Sequence, residues 1–345
     1  MCVKDTGTKY QLWISDFNID GTFTRVHPFI ISHTKTMTRT REDDKEEVFS
    51  ACIKPDDTRY LGGNKSSSID ATKLQGRPRT GINYDKANEF CANRGDWITM
   101  IDYLEYCALQ ALCYIEYANF DNQAALNTNL TSNGFKQGGL GAGVTNLNWE
   151  KWTAFNDNNP IVQTYWTAEH NIGNGSTNGD HYYVGFITTD ESNSNTYPAV
   201  YRGILNFFGD IWTFIRDIVV INKDKDYNAV YLLKKGVNHS DVTKDNVNEK
   251  CYLIGHQANT NNFITEFDFQ RGVYFIPNKV GSNKKADYNW IRGSNGQDTD
   301  KAVRVLLLGG SAADGSGAGS GGFTSDWVRS DSSAHVGFFT TVKLD

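Results

Sequence analysis

Several kinds of residue pattern are missing from this 345-residue chain, and each absence removes a class of function. No run approaches the roughly eighteen apolar residues a membrane-spanning helix needs. The opening residues Met1-Cys2-Val3-Lys4-Asp5 lead into no apolar signal segment, so Sec export is not expected from this sequence. There is no basic stripe: 34 Lys and Arg stand against 40 Asp and Glu, a net charge of −6 with both signs interspersed. Nucleic acid is therefore not the expected ligand. The six cysteines, Cys2, Cys52, Cys91, Cys107, Cys113 and Cys251, are irregularly spaced, form no C-x-x-C and are too sparse for a disulfide scaffold. They read as reduced, mostly buried thiols, which fits folding in the cytoplasm even for a protein that later works outside the cell.

Chemistry-bearing motifs are also few. The seven histidines lack the i, i+4 spacing of helical metal ligands, and the single loose cluster, His170 with Asp180 and His181, reads as solvated loop histidines. Asn222, Asp224, Asp226 and Asn228 alternate like the start of a calcium loop, but Tyr227 and Leu233 stand where Gly and Glu are needed, so a solvated turn is expected. Arg94-Gly95-Asp96 is better explained by Gly95 ending a helix than by adhesion. The glycines of Gly138–Gly143 have no strand-to-helix context for binding phosphate. No Gly-x-Ser-x-Gly elbow is present. Neither a metal nor a cofactor is expected, and no catalytic residue is assigned.

Aromatic residues, at 13%, are plentiful, and the length suits one large domain or two ordinary ones. Residues 1–25 read as a connector and 26–345 as the folded domain. Strands are expected at Val26–Ile31 and Glu47–Ile53. The period then lengthens: Tyr84, Ala87, Phe90 and Cys91 define one face of a helix, with Asn83 as its cap and Gly95 at its end. A second helix is expected to open at Thr99 with Asp102, presenting Ile101, Leu104, Ala108, Leu112 and Ile115 to a sheet. Beyond residue 183 the runs are strand-like. The block Phe207, Phe208, Trp212 and Phe214 reads as core, and Val230–Leu233 as a strand. The sum is α+β, two helices packed on mostly antiparallel strands with long loops.

Three blocks, in order, resemble the C-type-lectin-like fold in its formylglycine-generating-enzyme-like form. The first is the helix pair Asn83–Gly95 and Thr99 onward, with its Ala87-x-x-x-Cys91-x-x-x-Gly95 spacing. The second is Gly209-Asp210-Ile211-Trp212-Thr213-Phe214, similar to the family's Gly-Asn-Val-Trp-Glu-Trp strand, with Asp210 and Phe214 departing from it. The third is Arg304-Val305-Leu306-Leu307-Leu308-Gly309-Gly310-Ser311 with His335-Val336-Gly337-Phe338, where Phe339 replaces the usual Arg. Within that fold, the ending resembles variable proteins of diversity-generating retroelements, in which residues 303–345 would be the variable region. Their adenine-directed mutagenesis turns template codons into NNY, which cannot encode Lys, Glu, Gln, Met or Trp. From Gly310 to Gly337 the chain has none of the first four and a single Trp, Trp327. An average segment would hold about three to five such residues.

The resemblance implies a ligand-binding surface made of Ser311, Ala313, Asp314, Ser316, Gly317, Ser320, Gly322, Phe323, Ser325, Asp326, Trp327, Arg329, Asp331, Ser333 and His335. Phe323, Trp327 and Arg329 are expected as exposed anchors, since aromatics and Arg dominate binding hot spots. It implies a non-enzymatic, hypervariable receptor-binding protein, on a phage tail for host attachment or on a bacterial surface for adhesion. The expected partners are a host-cell receptor or other macromolecule, neighbouring tail proteins, or further copies of the chain in a trimer, with no nucleic acid and no membrane insertion. Two alternatives stay open: a non-diversified tail structural protein, and an enzyme of the formylglycine-generating-enzyme-like class. Cysteine oxidation by that class needs a C-terminal cysteine pair, and no cysteine follows Cys251.

Overall fold

In the computed structural model of the chain, the described residues are 82–93, 98–121, 207–209, 211–222, 227–268, 274–282, 287–292, 302–311, 314, 317–333 and 335–342, together with the backbone of short strands elsewhere. Those strands make local pairs. Cys2–Asp5 lies between Tyr10–Trp13 and Thr24–Arg25, Thr38–Thr40 pairs with Glu46–Val48, Val162–Gln163 with Gly185–Phe186, and Val200–Tyr201 with Ile204–Leu205. Val26–Ile31 lies outside the described residues, as do Gly95, the Arg-Gly-Asp tripeptide, the Gly138–Gly143 run and His170 with His181.

Helix α1 (Tyr84–Ala92) opens where expected but closes earlier, with Asn93 and not Gly95 as its C-cap, and Phe90 is only half-buried. Asn83 caps it by accepting from the Lys86 N–H at 2.9 Å, and Tyr84, Ala87 and Cys91 are buried. Helix α2 (Tyr103–Tyr117) starts later than expected. Thr99 belongs to a strand, β1 (Ile98–Met100), and Asp102 is the cap. Asp102 Oδ1 accepts from the Glu105 N–H at 2.9 Å while Glu105 Oε2 accepts from the Asp102 N–H at 3.0 Å, a reciprocal box that satisfies two otherwise orphaned donors. The buried face of α2 is also a correction. Tyr103, Tyr106, Cys107, Gln110 and Tyr114 face the core, whereas Leu104, Ala108, Leu112 and Ile115 are only half-buried. The helix is apolar nearly all round, so periodicity alone does not choose a side; the large rings do, because they bury the most area.

The sheet contains β2 (Trp212–Asn222), β3 (Tyr227–Leu233), β4 (Cys251–Ala258), β5 (Asn262–Asp268), β6 (Ile276–Gly281), β7 (Tyr288–Trp290), β8 (Val303–Leu308), β9 (Phe323–Thr324) and β10 (Val336–Gly337). Its order is β4-β3-β2-β8-β9-β7-β5-β6, with β10 added beside the start of β2. Pairing is antiparallel except β7 with β9 and β2 with β10. The two ends meet: β4 runs beside β6, and Asp268 Oδ2 accepts from the His256 N–H at 3.0 Å. The fold is therefore α+β, with few helices and a mostly antiparallel sheet nearly closed into a barrel-like shape. A last strand, β11 (Thr340–Val342), pairs with β1.

Two apolar clusters use the two faces of β2 and β8. Ile215, Ile218, Leu306 and Leu308 join the rings of α2, Phe207, Phe208 and Phe323. Trp212, Phe214, Val305 and Leu307 join α1, β1, Val336 and Phe338. The expected aromatic core block is thus buried at all four positions, Phe207, Phe208, Trp212 and Phe214. Cys91, Cys107, Cys113 and Cys251 are free and buried, and burial pushes the Cys107 thiol well up and Cys251 to about 11. Asn222 stands opposite Asn228 across antiparallel β2 and β3, and Asp224 and Asp226 lie outside the described residues. Among the described residues, no helix is long and apolar enough to cross a membrane.

Between β2 and β8 the register jumps from Ile215↔Leu306 to Val219↔Val305. The extra residues of this bulge receive the helices. Arg216 N–H donates to the Ile101 carbonyl at 3.1 Å, the Tyr103 N–H donates to Asp217 Oδ1 at 2.9 Å, and the Tyr84 hydroxyl donates to the Arg216 carbonyl. Burial and the neighbouring Asp102 raise the carboxyl of Asp217 to about 7, and the same two causes raise Glu105 to about 7.

Candidate functional site

The segment between β8 and β10 carries the expected binding residues, and it divides into two parts. The first part enters the molecule. Ser311, Ser320, Phe323 and Ser325 are buried, as are Gly317 and Gly322. Ser311 donates its N–H and hydroxyl to Asp314 Oδ2, at 2.6 and 2.7 Å, and burial raises the Asp314 carboxyl above its ordinary value. A Cβ built on Gly319 would lie 2.0 Å from Asp287 Oδ1, and one on Gly321 would lie 2.3 Å from the Tyr114 hydroxyl. Only glycine leaves room for Asp287 to accept from the Gly321 N–H at 2.6 Å.

Ser325 is held by a buried amide network. Its hydroxyl donates to Gln257 Oε1 at 2.6 Å, and Gln257 Nε2 donates to Asn289 Oδ1 at 2.7 Å. Asn289 Nδ2 in turn serves the carbonyls of Ala258 and Thr260. These residues hold the sheet together and are not available to a ligand. Phe323, expected as an exposed anchor, is fully buried against Tyr103, with ring centroids 6.4 Å apart. It belongs to the cluster formed with α2, and a large ring is worth more in the core than at the surface. Ala313 and Ser316 lie outside the described residues.

The second part runs over the surface with its backbone pinned and its side chains half-exposed. Val305 N–H donates to the Trp327 carbonyl at 3.0 Å, Tyr84 N–H to the Arg329 carbonyl at 3.3 Å, and Trp212 N–H to the His335 carbonyl at 2.8 Å. Buried Arg304 donates from Nη1 to the Asp326 carbonyl at 2.9 Å, and Ser333 bridges to Ile82. A turn closes between Val328 and Asp331, whose Oδ2 accepts from the Val328 N–H at 2.9 Å. Asp326, Trp327, Arg329, Asp331, Ser333 and His335 are all intermediate in exposure. The structure brings these six together and separates them from the buried set.

Their charges are partly matched. Asp326 faces Arg292 at 3.6 Å, and Arg329 Nε faces Asp85 at 3.3 Å. Trp327 packs on the edge of the α1 cluster and meets the His335 ring edge-on at 5.8 Å. Loss of hydration holds His335 down at about 4, so the ring is neutral near neutral pH. Its Nδ1 lies 2.8 Å from the Ser333 hydroxyl. Alongside, Trp212, Trp290 and Tyr288 form a chain of rings with centroids 5.0 and 4.6 Å apart.

Sequence reasoning missed Asp85, Arg216, Lys234, Lys235 and Arg292, which adjoin this surface from other elements. The pair Lys234-Lys235 ahead of Gly236 was the one available signal, two like charges at a turn. Among the described residues no group of three His, Cys, Asp or Glu could hold a metal ion. The arrangement offers aromatic faces, two half-exposed ion pairs and hydroxyls, which is the chemistry of a recognition surface. No family model matches the chain, and no curated protein is similar enough to stand as a relative.

Proposed function

We propose that this chain is a ligand- or receptor-binding protein with a C-type-lectin-like fold in its formylglycine-generating-enzyme-like form, diversified over residues 303–345 by a retroelement. Its place is the tail of a phage, where it contacts the host receptor, or a bacterial surface, where it serves adhesion. It acts by binding and not by catalysis. The observation that carries the reading is the pinned backbone beneath half-exposed side chains from Asp326 to His335. Main-chain hydrogen bonds fix that path whatever the side chains are, so sequence can change there while the fold is kept.

The meeting of the three resembling blocks also supports it. The strand carrying Arg304–Leu308 is antiparallel to the strand opened by Trp212, and Val336-Gly337 runs parallel to the same strand. The helix from Tyr84 packs on all three.

Sequencing the genomic neighbourhood tests it. The expected result is a near-copy of the bases encoding residues 303–345, beside a reverse transcriptase gene and differing mainly at adenines. The differences should concentrate at Asp326, Arg329, Asp331, Ser333 and His335, and should spare Gly319, Gly321 and Trp327, whose codon no NNY sequence can supply. Absence of such a copy sinks the diversification and leaves a fixed structural or adhesive role.

A further inference from the structure

Beside the half-exposed surface lies a cleft of about 760 Å³, bounded by α1, the bulge of β2 and the turn that follows β3. That volume is in the range of small-molecule sites and is larger than a bare ion needs. Four cationic side chains line it, Arg216, Lys234, Lys235 and Arg329, against two carboxylates, Asp85 and Asp217. Arg329 belongs both to the cleft and to the surface described above.

Two of the four cations are balanced where they stand, and the two lysines are not. Arg329 is matched by Asp85 at 3.3 Å, and Arg216 by Asp102 at 3.5 Å. Lys234 donates to a backbone carbonyl, that of Glu249, at 2.6 Å, and its ammonium lies 5.0 Å from the Tyr252 ring centroid. Among the described residues neither Lys234 nor Lys235 meets a carboxylate, and the buried Nε–H of Arg216 has no hydrogen-bond partner. Asp217 offsets little of this, because burial keeps it protonated up to about neutral pH. In a chain of net charge −6, one cleft thus gathers positive charge that no carboxylate among the described residues matches. The concave, low-dielectric wall strengthens the local field.

We propose that this cleft binds an anionic group, a carboxylate or a phosphate carried on a larger polar ligand. Arg216 supplies a half-buried guanidinium and Lys234 and Lys235 supply ammonium groups, the donors that hold oxyanions by charge-assisted hydrogen bonds. Arg329 at the rim joins the cleft to Trp327 and Asp331, so a ligand anchored by its acidic group would extend over the half-exposed surface. The identification of that ligand as a receptor rests on the function proposed above; the anion site itself does not.

The test is calorimetric titration of the full chain at constant ionic strength with glucuronate, inorganic phosphate and glucose. Saturable binding of glucuronate or phosphate, with none of glucose, is the expected result, and the anion that binds more tightly identifies a carboxylated or a phosphorylated ligand. Lys235→Glu should weaken that binding by about tenfold or more, the loss of one charge-assisted contact. Lys279→Glu makes the same charge change on β6, where Lys279 pairs with Glu266 at 2.6 Å, and should stay within about twofold of the native chain. Should Lys235→Glu fold poorly, Lys235→Gln carries the same expectation. The proposal is overturned if neither anion binds saturably, or if the two Lys→Glu variants weaken binding equally. A template repeat without an anion site removes only the cleft, and an anion site without a repeat removes only the diversification.

Discussion

The residues from Gly317 to Ser325 and those from Asp326 to His335 share a small, polar composition, yet they occupy opposite environments. In the first group the missing side chains are what matters: Asp287, Tyr114 and Trp290 close on the glycines to distances no Cβ would permit. In the second group the backbone is what matters, since its carbonyls are claimed by Val305, Tyr84 and Trp212 while the side chains stay half-exposed. Small residues therefore mean close packing in one place and tolerance in the next. Among the described residues, the half-exposed side chains concentrate in the second group.

Substitutions can break this contrast or sharpen it. The largest effect is expected from Gly319→Val, which drives a branched side chain into Asp287 and should cost about 3 kcal/mol of stability or prevent folding, read by chemical denaturation. Wild-type stability in this variant would show that the first group is not packed as described. Next is Gln257→Leu, which strips partners from Ser325, Asn289 and Asn228 at once and should cost about 2 kcal/mol in the same assay. A loss no greater than a surface change would mean the amide network does not hold β9 to the sheet.

The frame beneath both groups answers to pH. Glu105 and Asp217 stand at about 7 in the fold and ordinarily titrate near 4, so the folded chain holds extra protons between those limits. Their contribution to stability is complete below about 4 and is lost as pH rises through about 7. His239 and His335 run the other way: held at about 4 in the fold, they reduce stability as pH falls from about 6.5 through 4. Asp217→Asn removes one carboxyl from this balance. Its stability relative to the native chain should therefore rise between about pH 5 and about pH 8, as measured by denaturation at both. A constant difference would show that Asp217 titrates normally. The smallest effect is expected at Arg329→Ser. Its pair with Asp85 is half-exposed on both sides, so stability should change by no more than about 0.5 kcal/mol. A loss of several times that would make Arg329 part of the scaffold and shrink the candidate surface further.

The pattern of the chain made some of this visible. Asn83 caps α1 as its spacing indicates, the four aromatics around Trp212 are core, and Val230–Leu233 falls within a strand, because each depends on neighbours in sequence. Locally, Thr99 is as good a cap for α2 as Asp102; what decides for Asp102 is the pairing of Thr99 with Thr341 across β1 and β11, a contact with the far end of the chain. The burial of Phe323 and the glycines likewise depends on Tyr103, Tyr114 and Asp287, none of them nearby in sequence. Trp327 is legible in hindsight. The one tryptophan in a segment otherwise poor in large side chains rests on the edge of the α1 cluster and anchors the path of the residues around it.

The bulge at Arg216–Ile218 bears on how quickly the molecule can assemble. Helix α2 can cap itself through Asp102 and Glu105 within one turn, but its docking contact joins Tyr103 to Asp217 across 114 positions. Closing a loop of that size precedes any reward from packing, so a capped helix must wait for the long strand to arrive. Refolding is therefore expected to be slow, with helical signal gained early and the aromatic environment of Tyr103 and Phe323 gained late. During that interval the exposed Tyr and Cys stripe of α2 is the surface most open to misassociation.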